Sequence, residues 1–161
     1  MNSLDMYRQL FSYNYALFDK IWESILVLSD AQFVQDIDYS HGSIRNQMVH
    51  VINTEVGWLR GLQGDPQARK IKMDPKDYPT CKSTIVLWDI IRMQVLEYLD
   101  SLDEDDLEII PPGMKGPVWQ VLLHLINHST DHRAQVLRAL HDLGAPTFNQ
   151  DLIFYLWCGI L

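Results

Sequence analysis

Three histidines recur at every fourth residue in the stretch Trp119-Gln-Val-Leu-Leu-His124-Leu-Ile-Asn-His128-Ser-Thr-Asp-His132-Arg133-Ala-Gln135. Four of the six histidines in the chain fall between positions 124 and 141, so ring nitrogens are concentrated rather than scattered. On an α-helix a step of four residues climbs about 6 Å and turns roughly 40°, which lets neighbouring imidazoles grip one ion. His124 and His132 stand about 12 Å apart along the axis and cannot share it. The apolar stripe chooses between the remaining pairs. Val118, Val121, Leu125, Val136, Ala139 and Leu143 project within roughly 40° of His132, with His128 at about 40° and His124 at about 80°. His128 and His132 are therefore the expected inward ligands, with His124 at the edge of the buried face.

Two histidines hold a metal poorly, and His50 in Ser43-Ile-Arg-Asn-Gln-Met-Val-His50-Val-Ile-Asn-Thr54 is the candidate third ligand. Ile44, Met48, Ile52, Leu59 and Leu62 make the greasy stripe of its helix, whereas Gln47, Thr54, Gly57 and Gly61 share the side of His50. Small and polar neighbours leave room beside a ligand. Three neutral imidazoles leave coordination positions open, as in catalytic zinc sites, whereas structural zinc is usually closed by four protein ligands. Affinity for such an ion should fall below a pH of roughly 6 to 6.5, where protons compete for ordinary imidazole. No Ser-His-Asp or Cys-His arrangement can be assembled from sequence order, so no protein nucleophile is assigned.

These residues must be held by helices. Leu4, Tyr7, Phe11, Asn14, Phe18, Ile21, Ile25 and Leu28 alternate by three and four and predict a long amphipathic helix ending near Asp30. Asn14 interrupts that stripe as a helix-to-helix hydrogen-bond partner. Gln32 to Gly42 suits a loop, and His41 is a loop residue in this reading. A second helix runs from about Ser43 to Leu62 and stops at Gly64-Asp65-Pro66. Glu55 projects from its apolar side, where a carboxylate needs a partner such as an arginine or a ring N–H. A long crossover to Thr80 precedes a third helix, from about Ser83 to Leu102. The fourth helix extends from about Val118 to Leu143 and ends at Gly144-Ala-Pro146. Asn149 to Leu161 forms a short C-terminal segment that packs on the bundle or fills a subunit interface. Four amphipathic helices without an alternating strand predict an all-α four-helix bundle, one domain over residues 1–161, a fold that builds metal sites from facing helices.

Composition narrows the function classes. At 161 residues the chain is 47% hydrophobic and 21% charged, ordinary for a globular protein with one core. A formal charge of -8 without a basic patch argues against nucleic-acid binding, which rests on clustered Lys and Arg. The amino end lacks a signal-peptide pattern, and no apolar run approaches the roughly 20 residues of a membrane span, so a cytoplasmic protein is expected. Cys81 and Cys158 belong to no Cys-x-x-Cys pair and read as free thiols. The last nine residues are nearly all apolar, which suggests a homodimer with helix 1 and the C-terminal segment in contact.

The phrases His50-Val-Ile-Asn-Thr-Glu-Val-Gly-Trp58, Trp119 to Gln135, Gly144-Ala-Pro146 and Asp151-Leu-Ile-Phe-Tyr155 resemble the DinB/YfiT-like family of four-helix-bundle metalloproteins. Members typically read His-x-x-x-His-Arg-Gly-Gln where this chain has His128-Ser-Thr-Asp-His132-Arg133-Ala134-Gln135. Ala134 stands where glycine is common, which narrows backbone approach there without touching the ligands. The resemblance implies that His50, His128 and His132 bind a divalent metal, zinc or nickel, the trio that spacing also singles out. It further implies a metal-dependent hydrolase or a thiol-dependent S-transferase, acting on a small molecule or a low-molecular-weight thiol. The alternative is a non-catalytic metal-binding stress-response dimer.

Overall fold

A computed structural model describes residues 2–159. Six α-helices follow in order: α1 (Ser3–Ile25), α2 (Asp30–Val34), α3 (Ile44–Leu62), α4 (Cys81–Ser101), α5 (Val118–Asp142) and α6 (Leu152–Cys158). Three short 3-10 turns punctuate the connections, at Ala68–Lys70, Pro75–Asp77 and Asp105–Glu108. There is no strand among the described residues. The fold is the expected all-α bundle, built on the four long helices.

Each long helix buries the stripe its periodicity marks. Leu4, Phe11, Phe18, Ile21 and Ile25 of α1 meet Met48 and Ile52 of α3, Trp88 and Val95 of α4 and Leu125 and Val136 of α5 in one core. α1 and α3 each pack against both α4 and α5, so α3 and α5 are neighbours and their facing sides can share a site. α5 starts after Pro117 and stops where Gly144 takes a φ of 75°, a left-handed conformation that favours glycine.

α1 ends at Ile25, short of the expected Asp30, because a new helix is nucleated at once. The Ser29 hydroxyl accepts the Gln32 N–H while Oε1 of Gln32 accepts the Ser29 N–H, a reciprocal capping box. The resulting α2 drives Phe33 into the core within a segment read as loop. The crossover after α3 is also fixed. The Asn53 side chain donates to the Met73 carbonyl at 3.0 Å and accepts the Met73 N–H at 2.8 Å, pinning residues 68–73 beside α3.

α6 lies on α1, with the Tyr13 and Tyr155 rings 5.4 Å apart and Tyr155 Oη 2.9 Å from Ser12 Oγ. Ile153, Phe154, Leu156 and Trp157 face away from the bundle and are exposed. No helix among the described residues is long and apolar enough to cross a membrane.

Candidate metal centre

His50 on α3 and His128 and His132 on α5 come together where the two helices face each other. Nε2 of His50 lies 3.1 Å from Nε2 of His128. The His128 and His132 ring centroids are 4.1 Å apart, and those of His50 and His132 4.6 Å. His132 is buried, His128 and His50 are half-buried, and His124 is exposed. His124 instead packs edge-on against Trp58, with its centroid 5.1 Å from the indole and 5.6 Å from His128.

A fourth imidazole joins them, and sequence reading left it in a loop. His41 stacks on His50 with centroids 4.0 Å apart, and ligand atoms of His41, His50 and His132 all lie within 4.8 Å of one another. The loop that carries it is tightly wound. Ser40 and Gly42 have φ of 52° and 85°, and a Cβ at Gly42 would come within 3.1 Å of Asp36 Oδ1. Nδ2 of Asn46 then holds the His41 carbonyl at 2.9 Å, and Ser43 caps α3 immediately after it. The sequence signal was Ser40-His41-Gly42 directly before a helix cap. Its direction depends on backbone turns that no periodicity encodes.

Polar neighbours orient the rings. The Gln47 amide lies 2.6 Å from Nδ1 of His132 and bonds Gln135 at 2.8 Å, with Ser40 Oγ closing the group on Gln47 at 2.9 Å. A primary amide either donates or, rotated, accepts. The Gln47 amide nitrogen donates to Gln135 Oε1 and faces His132 Nδ1, which then accepts. Freeing His132 Nε2 for an ion requires the amide to rotate so that Nδ1–H donates to its oxygen. Thr54 Oγ1, which donates to the His50 carbonyl, sits 3.4 Å from Nε2 of His128.

The chemistry of this donor set fits a divalent metal. Burial, together with the positive charge each neighbouring imidazole would carry, pushes His50 down to about 4 and His128 to about 3, and burial lowers His132 as well. All three are neutral at pH 7, the form that ligates. Nitrogens bound to one zinc at about 2.0–2.1 Å stand roughly 3.3 Å apart in tetrahedral geometry, close to the 3.1 Å between His50 and His128. The three-histidine group whose ligand atoms stand close enough to one another to hold an ion is His41, His50 and His132, with His128 beside it against His50.

Two other buried polar groups lie away from the cluster. Glu55, 1% exposed, has Oε2 3.3 Å from the Tyr15 hydroxyl, while its Oε1 has no partner. Burial drives its carboxyl up to about 8, so it is largely protonated at neutral pH. Its partner is a tyrosine, and neither an arginine nor a histidine ring bonds it. Arg133, fully buried, donates to Asn14 Oδ1, to Gln150 Oε1 at 3.2 Å and to Thr130 Oγ1 at 3.1 Å, between the Tyr13 and Phe18 rings. Asn14 is thus the helix-to-helix partner expected of it.

Protein DinB of Bacillus subtilis (strain 168) is 24% identical over 159 residues, spanning 92% of this chain and 92% of that protein. The DinB family itself matches residues 1–159, and the chain belongs to the DinB family.

Proposed function

We propose that the chain is a divalent-metal-dependent enzyme, with zinc or nickel held by His50, His128 and His132. The observation that carries this reading is the convergence of neutral imidazoles from α3 and α5, with His50 and His128 nitrogens 3.1 Å apart. When bound, such a metal supplies Lewis acidity that makes a water or a thiol a nucleophile near pH 7. The chain's own residues supply the rest. Gln47 fixes the His132 ring, and Thr54 stands beside His128 as a hydroxyl able to donate to or accept from a bound molecule. Gly57 continues the His50 side of α3 without a side chain and leaves room there, whereas Gly61 is covered by Met114. The reaction is a hydrolysis or a thiol S-transfer on a small molecule, with no nucleic acid or membrane partner, in a cytoplasmic homodimer.

His41 favours a second reading. Its nitrogen lies within 4.8 Å of those of His50 and His132. Should His128 ligate as well, four imidazoles would close the sphere in the manner of structural sites, and the protein would then be a non-catalytic metal-binding dimer. Cobalt-substituted protein separates the two. A small thiol that adds a sulfur-to-cobalt charge-transfer band supports the transferase branch, and metal-dependent hydrolysis of simple ester or amide probes supports the hydrolase branch. If neither occurs and X-ray absorption reports four protein nitrogens, the enzyme reading fails.

A further inference from the structure

A cleft of about 350 Å³ opens beside the histidine cluster, within the roughly 300–1,000 Å³ range of small-molecule sites. Its floor is the side of α3 that also carries His50, at Thr54, Gly57 and Gly61. Thr54 joins it to the cluster through the 3.4 Å approach to His128. The pinned crossover makes the opposite wall with Arg69 and Ile71, and Trp58 and Met114 complete the apolar lining. A Cβ at Gly57 would meet the Ala68 carbonyl oxygen at 4.0 Å, an ordinary contact, so the floor there has room for a small group. A second cleft, of about 310 Å³, shares Trp58, Arg69 and Met114 and continues to His124 and Lys115. Arg69 stands at the junction of the two.

The cleft itself is lined by one residue of each charge, Asp65 and Arg69. The chain carries -8 overall, yet Arg69, Lys70 and Lys72 crowd one stretch of the crossover, and Lys115 shares the lining of the second cleft with Arg69. Arg69 makes no hydrogen bond or ion pair with any other side chain among the described residues, so its guanidinium is available to a ligand. A planar fork of N–H donors matches a carboxylate in bidentate fashion, and apolar walls beside it select a hydrocarbon body over a fully hydrated anion.

We infer that this cleft binds a small organic carboxylate with an apolar body, its carboxylate on Arg69, its body over Gly57 beside Trp58, and its far end at Thr54. The inference rests on the metal reading for the reaction, since the far end at Thr54 lies beside His128. Binding itself needs only Arg69 and the cleft.

The test uses the full chain, metal-free and zinc-loaded, titrated calorimetrically with 4-phenylbutyrate and with its uncharged amide. The acid is expected to bind both forms, with the amide at least about tenfold weaker. Arg69→Gln should weaken the acid by at least about tenfold and leave the amide unchanged. Gly57→Leu, which fills the floor, should weaken both, with zinc affinity unaltered in a chelator competition. Equal binding of acid and amide, an Arg69→Gln affinity equal to the unsubstituted chain's, or no binding to either folded form would overturn the inference. Failure of the metal reading appears separately, as absence of zinc binding in the same competition.

Discussion

The imidazole of His41 lies 4.0 Å from that of His50, its plane only 22° from parallel. A loop residue is therefore stacked on the helix-borne histidine that bridges α3 to α5. His41 limits how His50 can turn and offers a further nitrogen to the same point. In a chelator competition, His50→Ala, His128→Ala and His132→Ala each abolish tight zinc binding in this account. His41→Ala weakens it by about 10- to 100-fold, the usual effect of removing a supporting group. His124→Ala has a modest effect, because that ring is exposed and turned to Trp58. Loss of zinc with His124→Ala but not with His132→Ala would reverse the assigned register.

The depressed histidines give the metal-free protein a pH dependence of known sign. In the unfolded chain these rings protonate near 6.5, whereas in the fold His50 and His128 resist until about 4 and 3. The unfolded state binds more protons in between, so stability is full above 6.5 and is lost as pH falls from there through the folded values. Urea unfolding at pH 7.5 and 5.5 should show a smaller loss in a His50→Gln/His128→Gln variant than in the unsubstituted chain. Identical losses would contradict it. Proton competition for a metal moves the same way, below the range of about 6 to 6.5 that ordinary imidazoles set.

Glu55 carries the opposite sign. Its carboxyl titrates at about 8 in the fold and near 4.5 in the unfolded chain, so its contribution favours folding below 4.5 and is lost as pH rises through 8. Glu55→Gln keeps an oxygen for Tyr15 and removes the buried charge. We expect the variant to be more stable at pH 8.5 by about 1–3 kcal/mol, with a smaller gain at pH 5. A gain that does not grow with pH would show that Glu55 titrates normally.

How much of this was legible in the sequence depends on what each residue's position rests on. The four long helices follow from apolar periodicity, and so does the placement of the His50, His128 and His132 rings on facing sides of α3 and α5, whereas the ligand atoms within reach of one ion are those of His41, His50 and His132. Asn14 was readable as a polar break in a greasy stripe. α2 was signalled by Ser29-Asp-Ala-Gln32, but five residues are too few for periodicity, and only the burial of Phe33 secures the helix. His41 was beyond reach because two positive φ values aim it. Gln47 and Thr54 were recognisable as neighbours of His50, whereas their contacts with His132 and His128 depend on how α5 sits against α3.

The buried cation on α5 predicts a stability effect away from the site. Arg133 faces oxygens of Asn14, Gln150 and Thr130 and no carboxylate. Burial lowers it to about 10, so it stays charged at neutral pH. Asn14→Leu strips one acceptor from that charge and should cost about 2–4 kcal/mol in denaturant unfolding. A cost below about 0.5 kcal/mol would mean that the Arg133–Asn14 bond contributes nothing.

Self-association tests the exposed apolar surface. Val86, Ile90 and Met93 line one face of α4 at helical spacing, and Trp157 of α6 is 80% exposed. In α1, by contrast, Met6 is the large apolar side chain left open, so α4 and α6 are the better contact regions. Light scattering at micromolar concentration should give twice the 18.8 kDa chain mass, and Ile90→Lys should return it to the single-chain value. A single-chain mass for the unsubstituted protein would reject the dimer.

The most direct test is the metal content of untagged protein, purified without an affinity metal and supplemented with zinc, nickel, manganese or iron. Elemental analysis should find about one equivalent of zinc or nickel per chain, reduced to background in His128→Ala. Less than about 0.2 equivalents of any of these metals, with His128→Ala indistinguishable from the unsubstituted chain, would show the imidazoles to be packed side chains and not ligands.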